Sequence, residues 1–147
     1  MKKQCYVAIA IAILVGAVGI GTKAQSRNRQ LLTVNIPFAF NAGSKTLPAG
    51  EYTLMVVNPA SDRNVLQIRS SDGHTSVLTQ TTDIIGKSSP QAKLVFRRYG
   101  DQYFLSQAWV AGERTGVATL KSSAERQLQN ELAKTGKKSE MVAVNAK

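Results

Sequence analysis

Residues 93–110 read KLVFRRYGDQYFLSQAWV, and this stretch decides the fold class. Two runs in which the side chains alternate between two faces flank the Gly-Asp dipeptide at 100–101, a pattern typical of a β-hairpin. The expected register places Phe96 opposite Leu105 on one face, which we take as the core face. The same alternation assigns Trp109 to that core face. The stretch therefore predicts two adjacent antiparallel strands with one buried side.

A second hairpin is expected towards the N-terminus, between strands at 65–70 and 75–81. Their connection at 71–74 contains Asp-Gly, the dipeptide that favours a type I′ turn. In the register that this turn imposes, Ile68 faces Val77. The apolar pairs then coincide on one face, as a half-buried hairpin requires.

Residues 32–40 predict one long strand, because apolar side chains recur at every second position. These side chains are Leu32, Val34, Ile36, Phe38 and Phe40. Pro37 falls on the other face and has no N–H to donate to a ladder, so we expect an edge strand or a bulge there. A turn at 47–50 and a further strand at 51–57 follow.

The C-terminal part changes to a helical pattern. Ser122 and Glu125 have the spacing of a capping box, with Ser122 as N-cap and Glu125 reaching back. An apolar stripe at i, i+4 and i+8 then predicts a helix that either packs on the sheet, which is the default, or binds something else. The stripe consists of Ala124, Leu128 and Leu132. No clear period follows, so residues 136–147 are predicted to form a mobile tail.

These patterns together predict an all-β domain at residues 31–120, followed by one C-terminal α-helix at 121–135. We expect about six or seven antiparallel strands, arranged as a β-sandwich or a partly open barrel. The order of the strands stays open, because hairpins identify only neighbours in sequence.

The N-terminal segment indicates export. Basic residues precede an apolar run at 5–21, and small residues follow, which is the layout of a cleavable signal peptide at 1–24. An uncleaved anchor stays open, because the run is only slightly shorter than the ~20 residues that span a bilayer. Cleavage would remove Cys5, the single cysteine, and with it any disulfide. Subtracting three lysines from 19 basic residues leaves 16 against 9 acidic residues, a net charge of +7.

The sequence contains few candidate catalytic residues, so we do not expect an enzyme. His74, the single histidine, lies beside a predicted turn, where an exposed histidine is the ordinary interpretation. Asp72 is already explained by that turn. The mature sequence has no nucleophile elbow, Walker-type loop, EF-hand loop or Cys/His metal spacing, so we expect neither metal nor cofactor. A pair of catalytic carboxylates stays open, because a sequence does not give distances through space.

Arg97, Tyr99 and Phe104 are the candidate binding residues, since they share the hairpin face opposite the assigned core. Aromatic and guanidinium groups stack on sugars and pair with anions. The alternative is that a second sheet covers this face, as in a sandwich, with Arg97 reaching past it to solvent. Diffuse charge and an exported location argue against nucleic acid as a partner.

A resemblance is carried by VNIPFAF at 34–40, LPAGEY at 47–52 and KLVFRRYG at 93–100. QYFLS at 102–106 and SAER at 123–126 belong to the same pattern. Together they resemble a family of small exported β-rich proteins of soil bacteria. No activity is assigned to that family, so the resemblance implies an exported β-rich protein and no site residues. The turn at 47–52 also resembles turns of immunoglobulin-like and prealbumin-like extracellular modules, which implies a β-sandwich.

Three hypotheses follow for a periplasmic or secreted protein. The first is a non-enzymatic envelope module that binds a surface polysaccharide or a partner protein through Arg97, Tyr99 and Phe104. The second is a small extracytoplasmic hydrolase or lyase with carboxylate catalysts. The third is a structural or adhesive accessory, attached to the membrane only if the N-terminal segment stays uncleaved. An exposed surface formed by the three residues would favour the first, and a cleft holding two carboxylates would favour the second.

Overall fold

Strands account for most of the chain that the structure, a computed structural model, describes: residues 29–57 and 64–147. The strands are β1 (Arg29–Ile36), β2 (Phe40–Ala42), β3 (Lys45–Leu47), β4 (Gly50–Val57), β5 (Asn64–Ser70), β6 (Ser76–Ile85), β7 (Lys93–Tyr99), β8 (Gln102–Trp109), β9 (Thr115–Thr119) and β10 (Glu140–Asn145). One helix, α1 (Ser123–Lys134), lies between β9 and β10. The predicted all-β class with a C-terminal helix is confirmed, with more strands than expected. The predicted signal peptide at 1–24 lies outside the described residues.

The strands form one sheet that curls around a single core. Its order is β1-β4-β5-β6-β9-β8-β7-β10, with antiparallel neighbours throughout. The short β2–β3 hairpin joins β8 through one parallel bridge. Buried apolar residues from β1 through β9 belong to one cluster, and the two outer strands, β1 and β10, approach within 8 Å between Cα atoms. A sheet whose outer strands meet around one core is a partly open barrel, not a sandwich.

Both predicted hairpin registers are confirmed. Ile68 pairs with Val77 between β5 and β6, and Phe96 pairs with Leu105 between β7 and β8. All four side chains are at most 6% exposed, so the core face was also assigned correctly. Local alternation and turn chemistry are sufficient to position these strands in pairs.

Trp109 is not a core residue, contrary to the prediction. A β-bulge at Ser106 inserts one extra residue into β8, so the alternation beyond it shifts by one position. Ala108 therefore faces the core at 2% exposure, and Trp109 is half-buried on the other face. The indole lies against Gly86 and Gly116, where a Cβ would come within 2.5 and 2.7 Å of the ring.

The predicted long strand at 32–40 is interrupted. β1 ends at Ile36 and β2 begins at Phe40, with Pro37 in the break. β1 lies at the end of the strand order, which agrees with the edge position expected from the proline. As a result Phe40 is fully buried, whereas Phe38 is only half-buried.

Residues 136–147 do not form the predicted mobile tail, because they contain β10. This strand pairs with β7 over its whole length, and the backbone N–H of Ala146 donates to the carbonyl of Ala92 at 2.8 Å. The sequence signal was weak because only Val142 and Val144 turn towards the protein, and both are half-buried. Ladder hydrogen bonds to a distant strand leave no pattern in the sequence.

Deletion of residues 139–147 should lower the free energy of unfolding by about 2 kcal/mol or more, through lost ladder bonds and valine burial. Urea denaturation of the shortened and full-length proteins measures this loss. The control is Met141→Ser, which changes a side chain of β10 that is 57% exposed and should leave stability within about 0.5 kcal/mol. An unchanged unfolding midpoint after the deletion would support a mobile tail instead.

Candidate binding site

Arg97, Tyr99 and Phe104 lie together, but helix α1 covers this face through Glu125, which contacts Arg97 and Tyr99. Tyr99 and Phe104 are 3% and 4% exposed, and their rings meet edge-to-face with 5.7 Å between centroids. The side chain of Arg97 is 16% exposed. This face of the hairpin is therefore covered, as the alternative interpretation expected. The covering element is a helix and not a second sheet. The exposed aromatic and guanidinium surface that we expected is not present on this face.

Glu125 holds the helix on the sheet. It is 2% exposed and is the one buried residue of α1. Nε and Nη2 of Arg97 donate to its two carboxylate oxygens at 2.5 and 3.3 Å, and the Tyr99 hydroxyl donates to Oε1 at 3.1 Å. The Ser122 hydroxyl accepts from the backbone N–H of Glu125 at 3.2 Å, as a capping box requires. The carboxylate, however, points to the sheet instead of reaching back to the cap.

Tyr99 should make the fold sensitive to alkaline pH. Burial, and then the neighbouring Glu125 carboxylate, raise the pKa of its hydroxyl. Stability that depends on the neutral hydroxyl is complete below the unfolded pKa of about 10 and is lost as the pH rises through the higher folded pKa. We therefore expect a smaller loss of stability above pH ~10 in Tyr99→Phe than in the wild type. Urea denaturation across this pH range measures the difference, and identical profiles would contradict it.

The residues near the first hairpin turn have structural roles. His74 is exposed, and its backbone N–H donates to Oδ1 of Asp72 at 3.0 Å. The Ser70 hydroxyl donates to the same oxygen, and this bond, followed by the one from His74, lowers the pKa of Asp72. Within residues 29–57 and 64–147, no three His, Cys, Asp or Glu side chains are grouped so that they could hold a metal ion.

A cleft of about 140 Å³ opens at the end of the barrel where β1, β5 and β9 begin and β4, β6 and β8 end. Its apolar lining includes Leu31, Val56, Val110 and Val117. Its polar lining includes Asn64, Asp83, Glu113 and Thr115. The mouth of a barrel is a position where β-proteins commonly bind ligands. We call this feature the barrel-mouth cleft.

Asn64 organises the polar part of the barrel-mouth cleft. Its Nδ2 donates to Oδ1 of Asp83 at 2.7 Å, and this bond fixes the orientation of the amide, because the reverse would place two oxygens together. Its own Oδ1 is buried and accepts no hydrogen bond from the part of the chain that the structure describes. A buried acceptor without a donor costs about 1–3 kcal/mol.

Two carboxylates reach the barrel-mouth cleft from distant parts of the sequence. β6 extends to Ile85, beyond the strand end expected at 81, so Asp83 is a strand residue that pairs with Val117 of β9. Glu113 precedes β9 and is half-buried, whereas Asp83 is exposed. The sequence could not reveal this grouping, because it depends on the pairing of β6 with β9.

Comparison with known proteins finds no match for this chain among protein families, curated proteins or solved structures. In the described ranges, no helix is both long enough and apolar enough to cross a membrane. The candidate site therefore stands on its geometry and its chemistry alone.

Proposed function

We propose that this chain is an exported, non-enzymatic binding module of the cell envelope or the extracellular space, with the barrel-mouth cleft as its ligand site. The observation that carries the proposal is the cleft itself, whose lining combines apolar side chains with polar groups that distant parts of the chain bring together. Ligand sites combine apolar walls with a few such polar groups. Export itself rests on the sequence of residues 1–24.

The size of the cleft supports a large partner that inserts one small group. Its volume of about 140 Å³ lies below the roughly 300–1,000 Å³ of sites that enclose a whole small molecule. One side group of a surface polymer or of a partner protein fits such a space, and the rest of the partner would lie on the surrounding surface.

A hydrolase or lyase is the second candidate, favoured by the two carboxylates of the cleft. Acid–base pairs of this kind need one carboxyl kept protonated by burial and the other ionised. Asp83 and Glu113 are the two carboxylates of the cleft that would form such a pair. We place this candidate second because Oδ1 of Asp83 already accepts a hydrogen bond from Asn64.

Cosedimentation of the purified protein with peptidoglycan, outer membranes and exopolysaccharide tests the proposal. Binding to one fraction should survive high salt and be lost in Val110→Trp, which fills the cleft. The matched control is Leu78→Trp, which adds similar bulk at a side chain that is 63% exposed. Binding that disappears with salt would leave only the net positive charge as its cause. Fragments released from a fraction by the wild type, but not by Asp83→Asn, would support the enzyme.

A further inference from the structure

Trp109 lies across the outer surface of the sheet, at the barrel end where the barrel-mouth cleft opens. Its partner in the β8–β9 register is Gly116, and Gly116 pairs with Ile84 of β6, two positions before Gly86. A Cβ at Gly116 would come within 2.7 Å of Cε3 of the indole, and one at Gly86 within 2.5 Å of Cη2. These atoms belong to opposite ends of the six-membered ring. One side of the ring therefore faces bare backbone, and the other faces away from the sheet.

The outward side of the indole is the side that a ligand can reach. Trp109 is half-buried, and the two glycines cover the side towards the sheet. Among the described residues, no aromatic ring or cation stacks on it. Its Nε1 donates to Oε1 of Gln107 at 2.9 Å, which holds the ring in one orientation. A ring that is already fixed loses little conformational entropy when a flat apolar group stacks on it.

Basic residues surround the indole. Lys93 is the neighbour of Trp109 on the β7 side of the register. Arg114 is exposed, and its carbonyl accepts from the N–H of Gly86 at 2.8 Å. Lys87, also exposed, follows Gly86 in the chain. None of these three cations forms an ion pair with a carboxylate in residues 29–57 and 64–147. The surface around the ring is therefore positively charged.

The carboxylates of the barrel-mouth cleft belong to the inner side of the sheet. Asp83 pairs with Val117, which is 7% exposed and part of the core. Successive strand residues point to opposite faces, so Asp83 lies on the inner side and Gly116 on the outer side. Glu113 lines the same cleft as Asp83. The outer surface beside Trp109 and the interior of the cleft thus differ in the sign of their charge.

An aromatic ring among unpaired cations suits a ligand with one flat apolar face and a negatively charged edge. The ring of a uronic acid has both features, since its C–H groups can lie on the indole while its carboxylate pairs with lysine or arginine. A nucleotide also stacks and carries charge, but platforms for single-stranded nucleic acid stack successive bases on several aromatic side chains. The residues in register with Trp109 across the sheet are not aromatic: Asn145, Lys93, Gly116 and Ile84.

We propose that the outer surface formed by Lys87, Lys93, Trp109 and Arg114, here called the tryptophan platform, binds the sugar rings of an acidic polysaccharide. A uronic acid ring stacks on the outward side of Trp109, and its carboxylate pairs with the surrounding cations. This inference rests on the proposed function, since it names the polymer that the module recognises and adds a contact beside the barrel-mouth cleft.

Fluorescence titration of the wild-type protein with trigalacturonate, and with its uncharged methyl ester, tests the inference. Trp109 is the single tryptophan, so its emission reports this site alone. Trigalacturonate should change the emission in a saturable way, at least about 10-fold more tightly than the ester, as expected for charge-assisted bonds. Stacking is not screened by ions, so this binding should weaken at high salt but persist. Equal binding of both probes, or complete loss at high salt, would overturn the inference.

Two further measurements on the wild type examine the ring itself. Acrylamide should quench the emission of Trp109 in the free protein, and quench it less when trigalacturonate is saturating. A ring that acrylamide does not reach in the free protein would overturn the inference, because its outward side would then be covered. Tighter binding of an oligothymidylate of the same charge would assign the platform to nucleic acid and would also overturn it.

Three variants locate the site. Lys93→Gln and Arg114→Gln keep the tryptophan and should each weaken trigalacturonate binding by about 5-fold or more. Trp109→Leu, followed by calorimetry, should weaken it by about 10-fold or more. Lys137→Gln, at an exposed lysine beyond the end of α1, is the charge-matched control and should leave binding unchanged. Circular dichroism reports whether each variant is folded. Equal weakening by Lys137→Gln and Lys93→Gln would mean that only net charge attracts the probe, and would overturn the inference.

Competition separates this inference from the proposed function. If an envelope fraction binds the protein, excess trigalacturonate should displace it, and the methyl ester should not. Salt-resistant binding that Val110→Trp abolishes and trigalacturonate does not affect would contradict the tryptophan platform while supporting the binding module. Saturable trigalacturonate binding without binding to any fraction would support the platform and contradict the envelope-polymer function.

Discussion

Glu125→Ala should lower the free energy of unfolding by about 3–5 kcal/mol, the usual loss when one partner of a buried ion pair is removed. The remaining Arg97 guanidinium is largely buried and would lose both of its carboxylate contacts, and the Tyr99 hydroxyl would lose its acceptor. Because Glu125 is the one buried residue of α1, the helix would also lose its main attachment to the sheet. Urea denaturation measures the loss, and far-ultraviolet circular dichroism shows whether the helix melts separately.

Two further variants show whether the ion pair causes this effect. Glu131→Ala changes an exposed glutamate of the same helix and should stay within about 0.5 kcal/mol of the wild type. Arg97→Met combined with Glu125→Leu removes both charges and should recover much of the lost stability. A loss below about 1 kcal/mol in Glu125→Ala would contradict the attachment of the helix through this residue.

The same contact changes how binding data on the predicted residues should be interpreted. Arg97→Ala would remove the partner of a carboxylate that is 2% exposed, so the variant should lose stability whether or not Arg97 contacts a ligand. Reduced binding in that variant would therefore not identify a contact residue. Variants at Asn64 and Asp83 are better tests of binding, because these side chains contribute less to stability. Asn64 is half-buried, Asp83 is exposed, and one hydrogen bond joins them.

Features that depend on neighbouring strands could be predicted from the sequence. The pairs Ile68–Val77 and Phe96–Leu105 follow from alternation and from the turn between them, and both are observed. The bulge at Ser106 could not be predicted, because no glycine or proline marks it in the sequence of β8. A single extra residue was enough to move one tryptophan from the core to the outer face.

Features that depend on distant parts of the chain could not be predicted. Asp83 reaches the cleft only because β6 pairs with β9, and no local pattern specifies that pairing. Likewise the capping-box spacing of Ser122 and Glu125 is the same whether the carboxylate reaches back to the cap or out to Arg97. The sequence thus identified the helix and missed the contact that covers the expected binding face.

Phe40→Ala should lower the free energy of unfolding by about 3–5 kcal/mol, the range for deleting a fully buried aromatic side chain. Phe40 is 0% exposed, and its ring meets those of Tyr52 and Phe96 edge-on, with centroids 5.3 and 5.5 Å away. β2 has only three residues, so its attachment to the barrel depends strongly on this side chain. Denaturation in urea at neutral pH measures the change.

Phe38→Ala is the matched control, because it deletes the same atoms two positions earlier. Phe38 is half-buried and stacks on Tyr103 with 3.9 Å between centroids, so its deletion should cost only about 1–2 kcal/mol. In one continuous strand the two phenylalanines would share a buried face, and their deletion would cost the same. A clearly larger loss of stability in Phe40→Ala than in Phe38→Ala therefore supports the break at Pro37. Equal losses would support the uninterrupted strand that the alternation predicts.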